Sequence, residues 1–241
     1  MNSWMTLTRL VLISECDANA MMSYPAIASV FMDLAGVHAE KLGIGSSYCY
    51  RNERFWLTVR SRIRFQRRPR LMELVELSTW AEESTGIRCN RDYEIAIDGK
   101  RLIEGRTEWS MMDLKSRSLL DMKEVYPKDI VFDRGALFSD GYHDFTEACP
   151  EEVKAVYQVS STDIDFGNHM NNAAYVRMIF SLYSTKELKK MDLSEMEMLY
   201  LSSCYEGETL SIYALKKEKE TLYFVKKENG KTAFCIRLLE R

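Results

Sequence analysis

A helix followed by a run of strands is written twice into this chain of 241 residues. In the first copy Ile27, Val30, Phe31, Leu34, Ala35, His38 and Leu42 recur at helical spacing behind Pro25, and Gly43 supplies a stop. That spacing predicts one helix over about 25–42. Strand-like stretches follow at about 55–65, 70–82, 87–97 and 102–114, the last two joined by Asp98-Gly99, a tight-hairpin pair. The second copy predicts a strand over about 154–160, a helix over about 171–190, and strands at about 197–204, 208–217, 220–227 and 231–239. Asn229-Gly230 turns its last hairpin. The polar stretch between the copies, with Pro127, Asp133-Arg134-Gly135 and Pro150, reads as a linker over 123–150 between domains at 1–122 and 151–241.

Sliding one copy onto the other by 148 residues sets Asp17 on Asp165, Met21 on His169, Ala26 on Ala174, Phe31 on Ile179 and Leu34 on Leu182. The pattern describes an α+β protein of two tandem domains, each an antiparallel sheet wrapped around a long helix. That is the hotdog arrangement, met twice.

Charge and cysteine usage exclude several classes. With 33 Lys+Arg against 36 Asp+Glu the chain is net acidic, which argues against a nucleic-acid binder. No apolar run approaches the roughly 18 residues of a membrane span. Leu10-Val11-Leu12-Ile13 is too short for the core of a signal peptide, about 7–15 residues. The cysteines at 16, 49, 89, 149, 204 and 235 stand singly, so neither a metal site nor a disulfide framework is expected. A cytoplasmic, reducing location follows as an expectation.

The densest polar constellation runs from Thr162 to Asn172, between a predicted strand and a helix start. A helix start offers unpaired N–H groups and a positive dipole end that suit a developing oxyanion. Asp165, four residues before His169, adds acid and base groups. The structural alternative is that Asn171 or Asn172 caps the helix while Asp165 bonds loop amides.

The segment Asp163-Ile164-Asp165-Phe166-Gly167-Asn168-His169-Met170-Asn171-Asn172, followed by Ala174-Tyr175, resembles the D-x-D-x-N-x-H-x-N-N signature of plant and bacterial acyl-ACP thioesterases. Ala39-Glu40-Lys41-Leu42-Gly43-Ile44, Thr79-Trp80, Asn90-Arg91-Asp92-Tyr93, and Glu108-Trp109-Ser110-Met111-Met112-Asp113 with Arg117 resemble its first half in order. The resemblance implies hydrolysis of fatty acyl thioesters on acyl carrier protein, without metal or cofactor. It implies that Asp165 orients the site or assists attack and that His169 moves protons. The family's Asn falls on Gly167, leaving Asn168 one place later as the candidate donor to the carbonyl. Its Glu-Cys pair falls on Ser203-Cys204, so a carboxylate is absent and Cys204 keeps its place, either in the site or as an inert strand residue. Met21 replaces the histidine in the first copy. Met22, Ile27, Phe31 and Met32 are then expected to line an acyl channel or simply to pack the core.

Between Arg51 and Arg70 stand eight arginines and one acid, Glu53. Arg60, Arg62 and Arg64 alternate on one strand face, and Arg67, Arg68 and Arg70 follow. They form either a solvated face or a docking patch for an anionic partner such as an acidic acyl carrier protein and its phosphopantetheine phosphate. CoA phosphates suit the same patch, so an acyl-CoA thioesterase competes. A hotdog hydratase does not fit, because its D-x-N-P-x-x-H-like turn needs a proline and 151–241 contains none. A non-catalytic acyl-ACP binder is the third reading, and the assembly is expected to be a monomer or a homodimer.

Overall fold

The computed structural model describes every residue except Thr85. The chain divides into two compact units, Met1–Gly141 and Tyr142–Arg241.

The first unit runs β1 (Trp4–Leu10), α1 (Tyr24–Lys41), α2 (Ser46–Asn52), β2 (Arg54–Phe65), β3 (Leu74–Ala81), β4 (Cys89–Ile97), β5 (Lys100–Asp113) and a one-turn α3 (Met122–Val125). Its antiparallel strands lie in the order β1-β3-β4-β5-β2. Ser23 starts α1 by accepting the Ala26 N–H at 3.2 Å, and Pro25 sits where a missing N–H costs nothing. Gly43, at φ +71°, ends it. Asp98 and Gly99 both take positive φ, the two-residue turn that matches strand twist. The helix lies close on the sheet: Phe31 stacks on Tyr93 at 4.7 Å, and a Cβ on Gly105 would run into the Phe31 ring.

The outer face of this sheet is ionic. Arg62, Arg106, Asp92 and Trp80 are cross-strand neighbours in one row. Over them lies the segment from 135 to 141. Trp80 donates to the Gly135 carbonyl at 3.0 Å, the Leu137 N–H donates to Asp92 at 2.8 Å, and Arg106 donates to the Phe138 carbonyl at 2.9 Å. Arg62, Arg64 and Arg106 surround the Phe138 ring at 4.8–5.3 Å. Residues 123–141, read from sequence as part of the linker, therefore lie in the first unit, held by ion pairs and by burial of Val125, Tyr126 and Phe138.

The second unit repeats the order with β6 (Ala155–Gln158), α4 (Asn172–Phe180), α5 (Thr185–Lys190), β7 (Leu193–Tyr200), β8 (Thr209–Lys216), β9 (Glu220–Lys227) and β10 (Thr232–Glu240). Its strands lie β6-β8-β9-β10-β7, so each strand takes the place of its first-unit counterpart. Tyr175 on α4 packs against Phe234 at 5.0 Å and Tyr200 at 6.0 Å. Each unit is thus an antiparallel sheet with a helix on its inner face, the hotdog arrangement.

Three details depart from the sequence reading. The single helix expected over 171–190 is two, because Ser184 and Glu187 form a capping box that starts α5 afresh. The first strand of the second meander is Leu193–Tyr200, four residues early. Leu201 and Ser202 both donate to the Ala233 carbonyl, which takes the chain out of the ladder there. Three elements, β1, α2 and the one-turn α3, are additional. Among the described residues no helix is long and apolar enough to cross a membrane.

Candidate active site

The polar turn sits between β6 and α4 in the second unit. Its first part is a 3-10 turn, Ser161–Asp163, closed by Asp163. The Asp163 carboxylate is buried and accepts from the Tyr157 hydroxyl at 2.8 Å, the Ser160 N–H at 2.9 Å and the Ser160 hydroxyl at 3.0 Å. Burial works to raise its pKa, but these bonds outweigh burial and hold the carboxyl below its ordinary range. Asp163 is a structural acid.

Asp165 begins the exposed corner. Its Oδ1 accepts the Gly167 N–H at 2.8 Å, and its own N–H donates to the His169 carbonyl at 3.1 Å. Asn168 occupies the corner itself, exposed and left-handed at φ +60°. His169 follows with Nδ1 3.7 Å from Asp165 Oδ1, an ion-pair distance longer than a hydrogen bond. Both side chains are about one-fifth exposed, 21% and 23%, so solvent reaches them. Asn171 then caps α4 by accepting the Ala173 N–H at 2.8 Å. The turn thus brings a carboxylate, an imidazole and a capped helix start within a few residues of one another.

Cys204 joins this group through the backbone: its carbonyl accepts the Met170 N–H at 2.7 Å. Its thiol faces inward, fully buried, and burial pushes its pKa up despite the neighbouring Tyr175. A thiol held protonated is a poor nucleophile. Ser203 is exposed beside it. Two neighbours of Cys204 were not singled out from the sequence, the Tyr175 hydroxyl and the Glu208 carboxylate. Tyr175 was visible only as part of the quoted signature, and no sequence signal marks Glu208.

The residues expected to bind substrate from the first unit divide into buried and partly exposed side chains. Met22 and Phe31 are core side chains, 0% and 1% exposed. Arg68 is buried against Asp17, donates to the Met22 carbonyl at 3.1 Å and lies over the Tyr24 ring. Arg62, also buried, holds Asp140 and the Gly141 carbonyl. Arg60 pairs with Glu108, Arg64 with Asp140 and Arg67 with Glu73. The patch that reads as free positive charge in the sequence is answered by Glu108 on β5 and by Asp17, Glu73 and Asp140 from outside the strands. Among the described residues, no cluster of His, Cys, Asp or Glu is arranged to hold a metal.

Comparison with known proteins gives a consistent result. The model of the acyl-ACP thioesterase N-terminal domain matches residues 6–130, and that of the acyl-ACP thioesterase C-terminal domain matches residues 146–237. The chain is 23% identical over 236 residues to the chloroplastic acyl-[acyl-carrier-protein] hydrolase FATB3 of Cuphea viscosissima, covering 90% of this chain and 57% of that protein. It is 22% identical over 213 residues to the chloroplastic oleoyl-acyl carrier protein thioesterase of Coriandrum sativum, covering 79% and 56%. The chain spans about half the length of the curated relatives it matches. Its fold is similar to that of an acyl-ACP thioesterase from Bacteroides thetaiotaomicron, with a TM-score of 0.90 at 20% identity over 99% of this chain and 98% of that one. The 12:0-ACP thioesterase from Umbellularia californica gives a TM-score of 0.78 at 17% identity over 99% and 97%.

Proposed function

We propose that this chain, which belongs to the acyl-ACP thioesterase family, hydrolyses the thioester between a fatty acyl group and acyl carrier protein and releases a free fatty acid. The observation that carries the reading is the partly exposed pair Asp165 and His169, 3.7 Å apart at the start of α4. In the proposed reaction His169 takes a proton from water as the water oxygen attacks the thioester carbonyl carbon. Asp165 orients the imidazole, their separation closing to a hydrogen bond when substrate excludes water. Asn168 donates to the carbonyl oxygen as it gains charge. The tetrahedral intermediate then collapses with cleavage of the C–S bond, and the leaving thiolate takes the proton from His169.

Cys204 supports the turn through its backbone in this scheme and is not the nucleophile. Contact with the acidic carrier falls to Arg60, Arg64 and Arg67, whose side chains stay 28%, 35% and 42% exposed. All six cysteines are free, which supports a reducing, cytoplasmic setting, and the family match supports a place in fatty acid biosynthesis.

The test is release of free fatty acid from a panel of acyl-ACPs and matching acyl-CoAs, with Asp165→Asn and His169→Ala as folded controls. Turnover on the carrier-protein substrates that collapses in both variants is the expected result, and the chain-length profile names the acyl group. Preference for acyl-CoA would move the substrate. Tight acyl-ACP binding without turnover would make the protein a binder and overturn the hydrolase reading.

A further inference from the structure

The segment from 135 to 141 straps the outer face of the first sheet, and its fastenings meet at Asp92 and Arg106. Asp92 is completely buried. Its Oδ1 accepts from Arg106 Nε at 2.9 Å, and its Oδ2 accepts from the Leu137 N–H at 2.8 Å and from Arg106 Nη2 at 3.4 Å. Arg106 Nη1 donates to the Phe138 carbonyl at 2.9 Å. At the far end of the strap Asp140 lies 3.0 Å from Arg62 and 2.6 Å from Arg64.

A second carboxylate faces the same guanidinium. Glu82 follows β3 on the face that carries Trp80, and its Oε1 lies 2.7 Å from Arg106 Nη2. That oxygen sits off the donor's axis, so the contact is an ion pair without an aligned hydrogen bond. The other oxygen has only the Asn90 amide, at a long 3.4 Å. Asp92 thus holds the well-aligned donors and Glu82 the poor ones. The remaining titratable groups around Glu82 do not balance it. Cys89 and Tyr126 are neutral, the thiol pushed up to about 11 and the phenol well above its ordinary value, both by burial. Glu108, across the ladder from Asn90, is engaged by Arg60 and Arg88, and Arg134 lies over Trp80. One guanidinium therefore serves two carboxylates, and a proton on Glu82 turns repulsion between them into a hydrogen bond. Burial, followed by the charge and the carboxyl of Asp92, pushes Glu82 up from 4.5 to about 7.

We propose that Glu82, Asp92 and Arg106 form a pH-sensitive latch on the strap. Protonated, Glu82 donates to Asp92 and leaves Asp92 and Arg106 to hold Leu137 and Phe138. Ionised, it repels Asp92 and competes for Arg106, and the strap loosens at 137–138. A carboxyl whose pKa is higher in the closed strap than in the open one favours closure fully below the open value of 4.5. That preference is lost as pH rises through about 7. Loosening also draws Asp140 away from Arg62 and Arg64, which uncovers this arginine face on the alkaline side of neutral. The latch is independent of the hydrolase reading.

Hydrogen exchange on the full chain tests it, with amide protection over 135–141 followed at pH 6 and 8 and corrected for the intrinsic rate at each pH. Protection in the wild type should fall about tenfold, the change for one carboxyl moving between about 7 closed and 4.5 open. Glu82→Gln, neutral at both values, should keep its protection within about twofold. Trp80 gives a second reading, because its indole donates to the Gly135 carbonyl at 3.0 Å. Its emission, isolated by subtracting Trp80→Phe, should shift with a midpoint near 7 in the wild type and stay constant in the Glu82→Gln background. Unchanged protection in the wild type, or an equal fall in Glu82→Gln, overturns the proposal. So does a fall shared by the amides of β2 to β5, which would make the titration one of the whole first unit.

Discussion

Residues 13–23 and 161–171 fold into the same turn, hydrogen bond for hydrogen bond, 148 positions apart. Each opens with a 3-10 turn, Ile13–Glu15 or Ser161–Asp163. Each closes with an isolated bridge, Cys16 to Met22 or Ile164 to Met170. The Asp17 N–H donates to the Met21 carbonyl at 2.8 Å, as the Asp165 N–H does to His169 at 3.1 Å. Asp17 Oδ1 accepts from Asn19 at 2.8 Å, and Asp165 Oδ1 accepts from Gly167 at 2.8 Å. The corner residues Ala20 and Asn168 are both left-handed, at φ +53° and +60°. Ser23 and Asn171 cap the helix that follows. Neither the bent backbone nor the aspartate that braces it is thus a mark of catalysis, since both occur where position 21 is a methionine. What differs is the charge around the carboxylate. Asp17 is locked to buried Arg68, whereas Asp165 faces His169 at an exposed corner.

The largest separation between the two turns should appear in turnover. His169→Ala is expected to lower kcat by about 10²- to 10⁴-fold, the range of a positioned acid–base group. Met21→Ala should leave kcat within about twofold. Adding Met21→His to His169→Ala should restore nothing, because Asp17 remains paired with Arg68. Recovered hydrolysis in that double variant, measured on an acyl-ACP substrate, would show that the ion pair does not silence the first turn.

Stability should reverse the ranking. Asp17→Asn leaves Arg68 buried without its acid and should cost about 3 kcal/mol or more in urea unfolding, with turnover per folded molecule unchanged. Asp165→Asn, at a partly exposed corner, should cost about 1 kcal/mol or less while turnover collapses. Equal destabilisation by the two substitutions would remove the distinction drawn between them.

Much of this was legible in the sequence, and the misses have physical causes. The 148-residue shift aligned the turns because a short polar turn and a helix cap are local features, written in neighbouring residues. The strand β1 escaped because Trp4–Leu10 mixes Thr and Arg with its apolar residues and carries no Gly or Pro to punctuate it. The break between α4 and α5 was readable in Ser184 and Glu187 but was hidden by a continuous apolar periodicity around it. Long-range charge is what one chain cannot reveal. Arg64 meets Asp140, 76 residues away, and Arg68 meets Asp17, 51 away. An arginine-rich strand therefore reads as free positive charge, although most of that charge is paired within the fold. The candidate catalytic pair was visible because its two members are four residues apart. Tyr175 was not visible as a neighbour of Cys204, because it reaches the thiol from a separate helix, 29 residues earlier in the chain.

Acid should treat the two turns alike. Glu15 and Asp163 occupy equivalent positions, and each closes its own 3-10 turn. Burial opposes ionisation at both, and bonds from Arg9 and Leu12 to Glu15, and from Ser160 and Tyr157 to Asp163, outweigh it. Both folded pKa values are therefore depressed. Their stabilisation is present above the unfolded values of 4.5 and 3.8 and is lost as pH falls through the folded ones. Thermal melts below that range should drop steeply in the wild type and less steeply in both Glu15→Gln and Asp163→Asn. A slope altered by only one of them would break the equivalence.

The smallest effect is the sharpest for function. A non-glycine residue in the left-handed region costs about 1–2 kcal/mol, and asparagine tolerates it better than alanine. Ala20→Gly should therefore stabilise the protein by about 0.5–1 kcal/mol, the relief of strain being partly offset by the freer unfolded chain. Asn168→Gly should change stability by less than about 0.5 kcal/mol, since its corner is already occupied by a tolerant residue. If the corner exists only to bend the chain, kcat should ignore both changes. If Asn168 donates to the thioester carbonyl, as proposed, Asn168→Gly lowers kcat at least tenfold while Ala20→Gly does not, losing a donor that is typically worth about 10²–10³. Paired melts and single-turnover rates on the two variants read both quantities, and an unchanged rate in Asn168→Gly would take that side chain out of the mechanism and leave Asp165 and His169 to act alone.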